Sequence, residues 1–311
     1  MKKNLLLVES PFQLLSAYEA IKYFKLQNYL LLIRYSGLKK NDQQIDRLLQ
    51  VLQINPVNIE SVFIKESCRG VSDFLKFIFY MFKYFIKRAD FESIYIGSYR
   101  SRFFRNVLKQ FLNEKKIILL DDGNQTIEVQ KEFTSTENFD LFTMYSLEAY
   151  QGQKVYLNQF KALSKLIVID KNSTEDNILF IGCGLSEAGI ISSKKYIQLI
   201  EKVAEYYGER GKTMVYLPHR NEQQLLINEL VKINNLNLKT IDYPIEFIGL
   251  YDGMSFSKVS SFYSTALITM RDIYNLEAEC FFFDYTASKY QRDIDLVYDY
   301  YKKEMKLIQL D

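Results

Sequence analysis

The chain has 311 residues, 48% hydrophobic and 25% charged, a globular composition too long for one core and therefore read as two domains of roughly 150 residues. Forty Lys and Arg against 38 Asp and Glu leave a net charge of +2, which argues against nucleic-acid binding by bulk charge. Three scattered cysteines (Cys68, Cys183, Cys280) and one histidine argue against a Cys/His zinc site and suit a reducing cytosol.

In chain order, residues 4–8 (NLLLV) predict a first strand, too short an apolar run for a signal peptide once Glu9 and Pro11 interrupt it. Residues 10–25 predict a helix with Ser10 as N-cap and Pro11 at its first position. A strand follows at 29–35, a helix from Asn41 with 3.6-residue period, and a strand in NIESVFI. The next segment, SDFLKFIFYMFKYFIKRAD (residues 72–90), is apolar around nearly its whole circumference and carries Lys76, Lys83, Lys87 and Arg88. Two environments fit it: peripheral contact with an anionic membrane, or burial between domains with the lysines snorkelling outward. No run of 18 uncharged apolar residues exists, so a spanning helix is not expected and the protein is placed in the cytoplasm.

Strands at 93–98 and 116–123 (KIILLDDG) and a helix from about Ser101 continue the alternation, which weakens between 130 and 175. It restarts with strand 177–182, helix 189–207, strand 212–218, helix 221–233, strand 238–242 and helix 244–251. Strand 257–264, a helix from Thr265, strand 278–285 and a charged helix from about Ser288 complete it. Such alternation implies parallel βαβ units, here an α/β architecture of two Rossmann-like domains, 1–155 and 177–311, joined by a linker region at 156–176. Doubly wound sheets bind ligands at the carboxyl ends of their strands, so the residues there are the site candidates.

Four strand ends carry chemistry. LLDDGNQT places Asp121 and Asp122 before Gly123, a tight turn whose carboxylates can act as a base, steer a hydroxyl, hold a cation, or simply cap the turn. FIGCGLSEAG places Gly182 and Gly184 ahead of a helix N-terminus and Glu187 at the start of that helix, turned to the cleft or capping it with Ser186; its spacing is not GxGxxG, so no dinucleotide fingerprint is met. YLPHR puts His219, the sole histidine, behind Pro218, where an imidazole of ordinary pKa near 6.5 can donate a proton at neutral pH or sit in a plain surface loop. SSFYSTALITM brings the hydroxyls of Ser264 and Thr265 to a strand-to-helix junction, a phosphate cradle or an ordinary N-cap.

Taken in order, these motifs and the opening ESPFQLLSA (residues 9–17) resemble the bacterial sialyltransferases of glycosyltransferase family 52, relatives of the lipooligosaccharide and streptococcal capsule enzymes. The resemblance spans nearly the whole chain. It implies a GT-B-like fold, with two Rossmann-like domains facing a central cleft, acceptor on the N-terminal side and donor on the C-terminal side. It also implies an inverting, metal-independent transfer from CMP-sialic acid to a galactose-terminated surface glycan, with no cofactor; the family contains dimers, so a homodimer fits it.

The resemblance further implies His219 as acid to the leaving phosphate and Ser264 and Thr265 as its cradle. Gly182, Gly184, Pro218 and Arg220 would line the donor, and Glu246 would grip the cytidine ribose. Acceptor contacts fall to Pro11, Gln13, Gly123 and Asn124. The sequence departs from the family in reading Pro-His-Arg where a proline usually follows the histidine. It also lacks the aspartate of the glycine loop, so the base falls to Glu187, or to Asp121 or Asp122, with Glu187 preferred. Other readings are a GT-B transferase using a UDP-sugar, a metal-dependent transferase with Asp121 and Asp122 on the ion, and a noncatalytic nucleotide-binding protein of capsule assembly.

Overall fold

The computed structural model describes residues 2–65, 71–111, 115–132, 139–150, 152–167, 177–253, 256–285 and 288–310. Cys68 and most of the polar break at 171–177 lie outside the described residues. The chain divides into two compact units, Met1–Ala162 and Leu163–Asp311.

In the first unit the elements are β1 (Lys3–Val8), α1 (Pro11–Tyr23), β2 (Tyr29–Tyr35), α2 (Lys39–Val51), β3 (Ile59–Phe63) and α3 (Val71–Lys87). They continue with β4 (Phe91–Ile96), α4 (Arg102–Leu108), β5 (Lys116–Leu120), α5 (Gln125–Val129), β6 (Asp140–Thr143), β7 (Val155–Leu157) and α6 (Lys161–Leu166), which crosses into the second unit. The strands pair in the order β3-β2-β1-β4-β5-β6-β7, every pair parallel. Helices on the crossovers from β1 through β6 cover the sheet, which is why its central strands read as continuous Leu/Ile/Val runs rather than alternating ones. Leu5, Leu7, Ile94 and Ile96 sit at the centre of one core with Phe103, Phe104 and Phe111. The start of α1 is written into the chain: Ser10 Oγ accepts from the Gln13 amide at 3.3 Å and Pro11 supplies a preset φ.

The second unit comprises β8 (Asn177–Ile181), α7 (Ser193–Gly208), β9 (Thr213–Leu217), α8 (Gln224–Leu230), β10 (Leu236–Leu238) and α9 (Ile248–Asp252). After them come β11 (Lys258–Ser261), α10 (Ala266–Tyr274), β12 (Glu277–Phe282), α11 (Gln291–Glu304) and β13 (Lys306–Gln309). Their order is β10-β9-β8-β11-β12-β13, again all parallel. Both sheets therefore reverse direction once beside their first strand, between β1 and β4 and between β8 and β11, where ligand crevices of doubly wound sheets form.

Several elements differ from the sequence expectation. The weak stretch after residue 130 holds β6 and β7, four and three residues long and so nearly without periodicity. The strand expected at 238–242 is β10 at 236–238, after Asn235 takes a left-handed φ of 61° and resets the register. The helix expected from 189 begins at Ser193, where Ser192 Oγ accepts from the Lys195 amide at 3.2 Å. Glu187 accordingly lies in the turn before α7 and not at its first residue.

Candidate functional site

In the second unit, three of the motifs collect at the carboxyl ends of adjacent strands. β8 stands between β9 and β11, so the Gly-Cys-Gly loop stands between the Pro-His-Arg loop and the Ser-Thr junction. Gly182 is a glycine because of close approach: a Cβ there would fall 2.3 Å from Glu222 Oε1, 2.7 Å from the Tyr216 hydroxyl and 2.9 Å from the His219 amide nitrogen. Gly184 adopts φ of 59°, a left-handed value that side-chain-bearing residues rarely take, and its missing Cβ leaves room for His219 Nδ1 at 3.0 Å. The loop and the histidine are thus fitted to each other.

Beneath them lies a buried acid. Both oxygens of Glu222 meet the Tyr216 hydroxyl, at 2.8 and 2.9 Å, and Tyr196 donates to the same carboxylate at 3.3 Å. The Gly184 amide points to Oε1 at 3.4 Å. Burial raises the Glu222 pKa, and these donors to the anion oppose the rise. On the other side, Cys183 Sγ lies 3.0 Å from Ser261 Oγ, which donates to the Ile181 carbonyl at 2.6 Å and so ties β11 to β8 at the reversal point.

His219 is partly buried, and its Nδ1 accepts from the Asn221 amide at 3.3 Å, which puts the imidazole proton on Nε2. Burial, then the charge of Arg220, lower its pKa to about 4, against a smaller opposing pull from Glu187. At neutral pH it is therefore a neutral Nε2–H donor, where the sequence led to an expectation near 6.5. Arg220 is exposed. Glu187 is half-buried; its Oε1 accepts from the Gln223 amide at 3.0 Å and its Oε2 from Ser186 Oγ at 2.8 Å. The glycine loop is thereby bonded to the chain just after the histidine. Pro218, half-buried, ends β9 before this turn.

Ser264 and Thr265 open α10, both half-buried, with Ser264 Oγ accepting from the Ala266 amide at 3.3 Å. Tyr301 holds the Ser264 carbonyl at 2.9 Å from the far side. Glu246 is buried on the short helical turn before α9, where Thr269 of α10 donates to it at 3.0 Å and burial raises its pKa.

A second cluster stands at the strand ends of the first unit. Asp121 is 0% exposed and turned into the sheet: Thr143 Oγ1 donates to one oxygen at 2.5 Å and the Met144 amide to the other at 2.7 Å. It anchors the end of β6. Asp122 faces the other way and accepts from Gln13 Nε2 at 2.7 Å, while Gln13 Oε1 receives the Glu9 amide at 2.9 Å. Pro11 is buried at the start of α1, Gly123 takes φ of 66° in the turn, and Asn124 Oδ1 accepts from the Tyr145 hydroxyl at 2.9 Å. A small pocket beside them is lined by Gly97, Tyr99, Leu120, Asp122, Gln125 and Thr126.

Burial raises the Asp121 pKa to about 7, with the hydrogen bonds opposing. The folded chain then holds a proton that the unfolded chain releases near 4, so this group's contribution to stability is full below about pH 4 and is lost as pH rises through about 7. Asp121→Asn should flatten that part of the slope, read as urea midpoints at intervals between pH 4 and 8. An unchanged slope would remove Asp121 as its source.

Sequence reasoning did not single out Glu222, Tyr216 or Tyr196, nor the pair formed by Arg34 Nε and Glu9 Oε2 at 2.8 Å, to which Ser101 Oγ adds a bond at 2.8 Å. The available signal was Glu222 three residues past His219. Its tyrosine partners come from α7 and β9, and their convergence is a matter of topology.

The fold defines a class. S. aureus MnaA, in its co-structure with UDP, is 14% identical, with a TM-score of 0.58 over 90% of this chain and 79% of that one. The Methanocaldococcus jannaschii UDP-GlcNAc 2-epimerase in complex with UDP-GlcNAc and UDP is 10% identical, with a TM-score of 0.60 over 90% and 83%. MurG of Acinetobacter baumannii is 10% identical, with a TM-score of 0.52 over 99% and 86%. The likeness places the chain in the GT-B fold class, as the family resemblance implied. At the level of sequence, residues 129–278 match the model of the alpha-2,8-polysialyltransferase family, just under half of the chain, from the end of α5 into β12. No curated protein matches the chain.

Proposed function

We propose that the chain is an inverting sialyltransferase that moves sialic acid from CMP-sialic acid to a surface glycan, working in the cytoplasm without a metal. The observation that carries this reading is the match of residues 129–278 to the alpha-2,8-polysialyltransferase family, a span that holds the Gly182–Glu187, Pro218–Arg220 and Ser264–Thr265 loops. It supports a glycosyltransferase of the sialyl-transferring kind.

In this mechanism an acceptor hydroxyl attacks the anomeric carbon as the bond to the CMP phosphate breaks and its electron pair passes to the phosphate oxygen. A carboxylate takes the hydroxyl proton. His219 donates a hydrogen bond from Nε2–H to the departing phosphate; in the donor complex the phosphate charge raises the imidazole pKa, and the imidazolium formed by taking a proton from solvent is the species that passes one to the leaving oxygen. Ser264, Thr265 and the first amides of α10 supply further donors to the same phosphate. Glu246 grips the ribose, and the backbone at Gly182 and Gly184 with Pro218 and Arg220 flanks the donor. Of the carboxylates, Asp121 serves the sheet, which leaves Glu187 and Asp122 for the base. Pro11, Gln13, Gly123 and Asn124 belong to the acceptor side.

The experiment is transfer from labelled CMP-sialic acid, against UDP-GlcNAc as donor, to a galactose-terminated and a sialic acid-terminated oligosaccharide. The second acceptor is the one that the α2,8 linkage in the matched family's name calls for. Product from CMP-sialic acid alone is expected. Transfer from UDP-GlcNAc alone, or CMP binding with no turnover on either acceptor, would overturn the reading. In the same assay the base should declare itself, because either Glu187→Gln or Asp122→Asn is expected to lower kcat roughly 10²–10⁴-fold and the other far less.

A further inference from the structure

Helix α3 lies along the outermost strand of the first sheet and is held there by its polar side. Lys83 pairs with Glu60 at 2.5 Å, Tyr80 donates to the Ser61 carbonyl at 3.3 Å and Lys76 to the Phe63 carbonyl at 3.4 Å, all on β3. Tyr84 is buried, and Phe77, Tyr80 and Met81 pack against the core. That is a complete attachment for a helix of this length, and it leaves most of the apolar surface outside.

Phe74, Ile78, Phe79, Phe82, Phe85 and Ile86 are exposed, Phe79 by 61% and Phe82 by 64%. Their spacing of three and four residues puts them on one stripe along the helix, turned away from the core-facing residues. Lys76, Lys83 and Lys87 recur at seven and four residues and so line one long border of that stripe, while the helix contains a single carboxylate, Asp73. No described helix, α3 included, is long and apolar enough to cross a membrane.

We infer that α3 is a membrane-docking helix that lies in the interface of an anionic bilayer, its aromatic stripe among the acyl chains and the exposed Lys76 and Lys87 of its border among lipid phosphates, while Lys83 stays paired with Glu60. Charge selects this occupant. A bilayer offers hydrocarbon beneath a layer of oxyanions, which is the order in which the stripe and its cationic border are arranged. A second copy of the chain would bring the same lysines and no matching row of carboxylates on α3. The helix adds a binding surface that the transfer reaction itself does not require, so the inference stands apart from the proposed activity.

The test is flotation of the full-length chain with vesicles of phosphatidylcholine alone or with 40 mol% phosphatidylglycerol (~40%, a composition rich enough in charge to read the effect). Binding to the anionic vesicles is expected, weaker at high salt and weaker on neutral ones. Phe79→Ser with Phe82→Ser should reduce it about a hundred-fold, and Lys76→Gln with Lys87→Gln roughly thirty-fold at low salt. All four side chains lie outside the core, and circular dichroism with the urea midpoint confirms that the variants fold. Failure of the wild-type chain to float with anionic vesicles would overturn the proposal. So would a wild-type dimer in sedimentation equilibrium that the phenylalanine variant converts to monomer, since the face would then belong to a second copy.

Discussion

Replacing His219 by alanine is expected to lower transfer from CMP-sialic acid roughly 10²–10⁴-fold while leaving the chain folded. The side chain is partly buried and receives one hydrogen bond, from the Asn221 amide, whose neighbour Glu222 keeps its own tyrosine partners in the variant. Removing the ring therefore takes away an Nε2–H donor rather than a support of the sheet. The pH profile carries a second, independent readout. With a pKa depressed to about 4 by burial and by Arg220, the free protein holds His219 neutral throughout the physiological range. The dependence of kcat/KM on pH reports the free protein, so it should show no break near 6.5 from this residue, whose titration lies toward 4. The kcat profile reports the donor complex, where the phosphate charge lifts the same pKa. A variant with near-wild-type kcat, or a kcat/KM break near 6.5 that His219→Ala abolishes, would contradict the assignment. Arg220→Gln is the informative companion, because removing that charge should move the break upward.

Gly182→Ala should be the most damaging single methyl in the second unit. The added Cβ would meet a carboxylate oxygen, a buried hydroxyl and a backbone nitrogen, each closer than 3.0 Å. Two of the three could move only by breaking the Glu222–Tyr216 pair, and the third is the His219 amide itself. Crowding of this kind costs about 1–3 kcal/mol, visible as a lower urea midpoint. Because the displaced chain carries His219, activity should fall as well, about a hundred-fold for a shift of the order of 1 Å. Gly189→Ala separates crowding from conformation: it has open space around its Cβ but a φ of 69°, so it is expected to cost about 1 kcal/mol and to spare the histidine. A Gly182→Ala protein with wild-type midpoint and turnover would show that the loop is not fitted to the histidine as described.

Most of the fold was legible because parallel strands buried on both faces announce themselves as apolar runs. YLLLIRY coincides with β2, while KIILLDDG runs three residues past the end of β5 and NILFIG one past the end of β8. What escaped was short or polar. β6 and β7 have four and three residues and offer no period to count, β10, three residues long, was expected two residues late, and β13 follows a helix whose charge masks it. The candidate site was legible as a set of strand ends but not as a set of contacts. Nothing in LLDDG distinguishes Asp121, sealed against Thr143, from Asp122, which meets Gln13 from 109 residues away. The late start of α7 was likewise hidden, since the glycines that turn the chain at 184 and 189 read equally well as loop or as helix entry.

The strand order has a consequence for how the chain is made. Leu5 of β1 pairs on one side with Leu30 and on the other with Ile94. The second partner reaches the ribosome exit after roughly ninety further residues, about 5–20 seconds at ordinary elongation rates. Until then one edge of β1 offers its backbone groups to any extended chain nearby, which is the exposure that makes non-local parallel pairing slow and aggregation-prone. The same delay recurs in the second unit, where Leu179 waits for Val259. Slower translation or a lower growth temperature should therefore raise the soluble yield of this protein more than that of a helical protein of equal length.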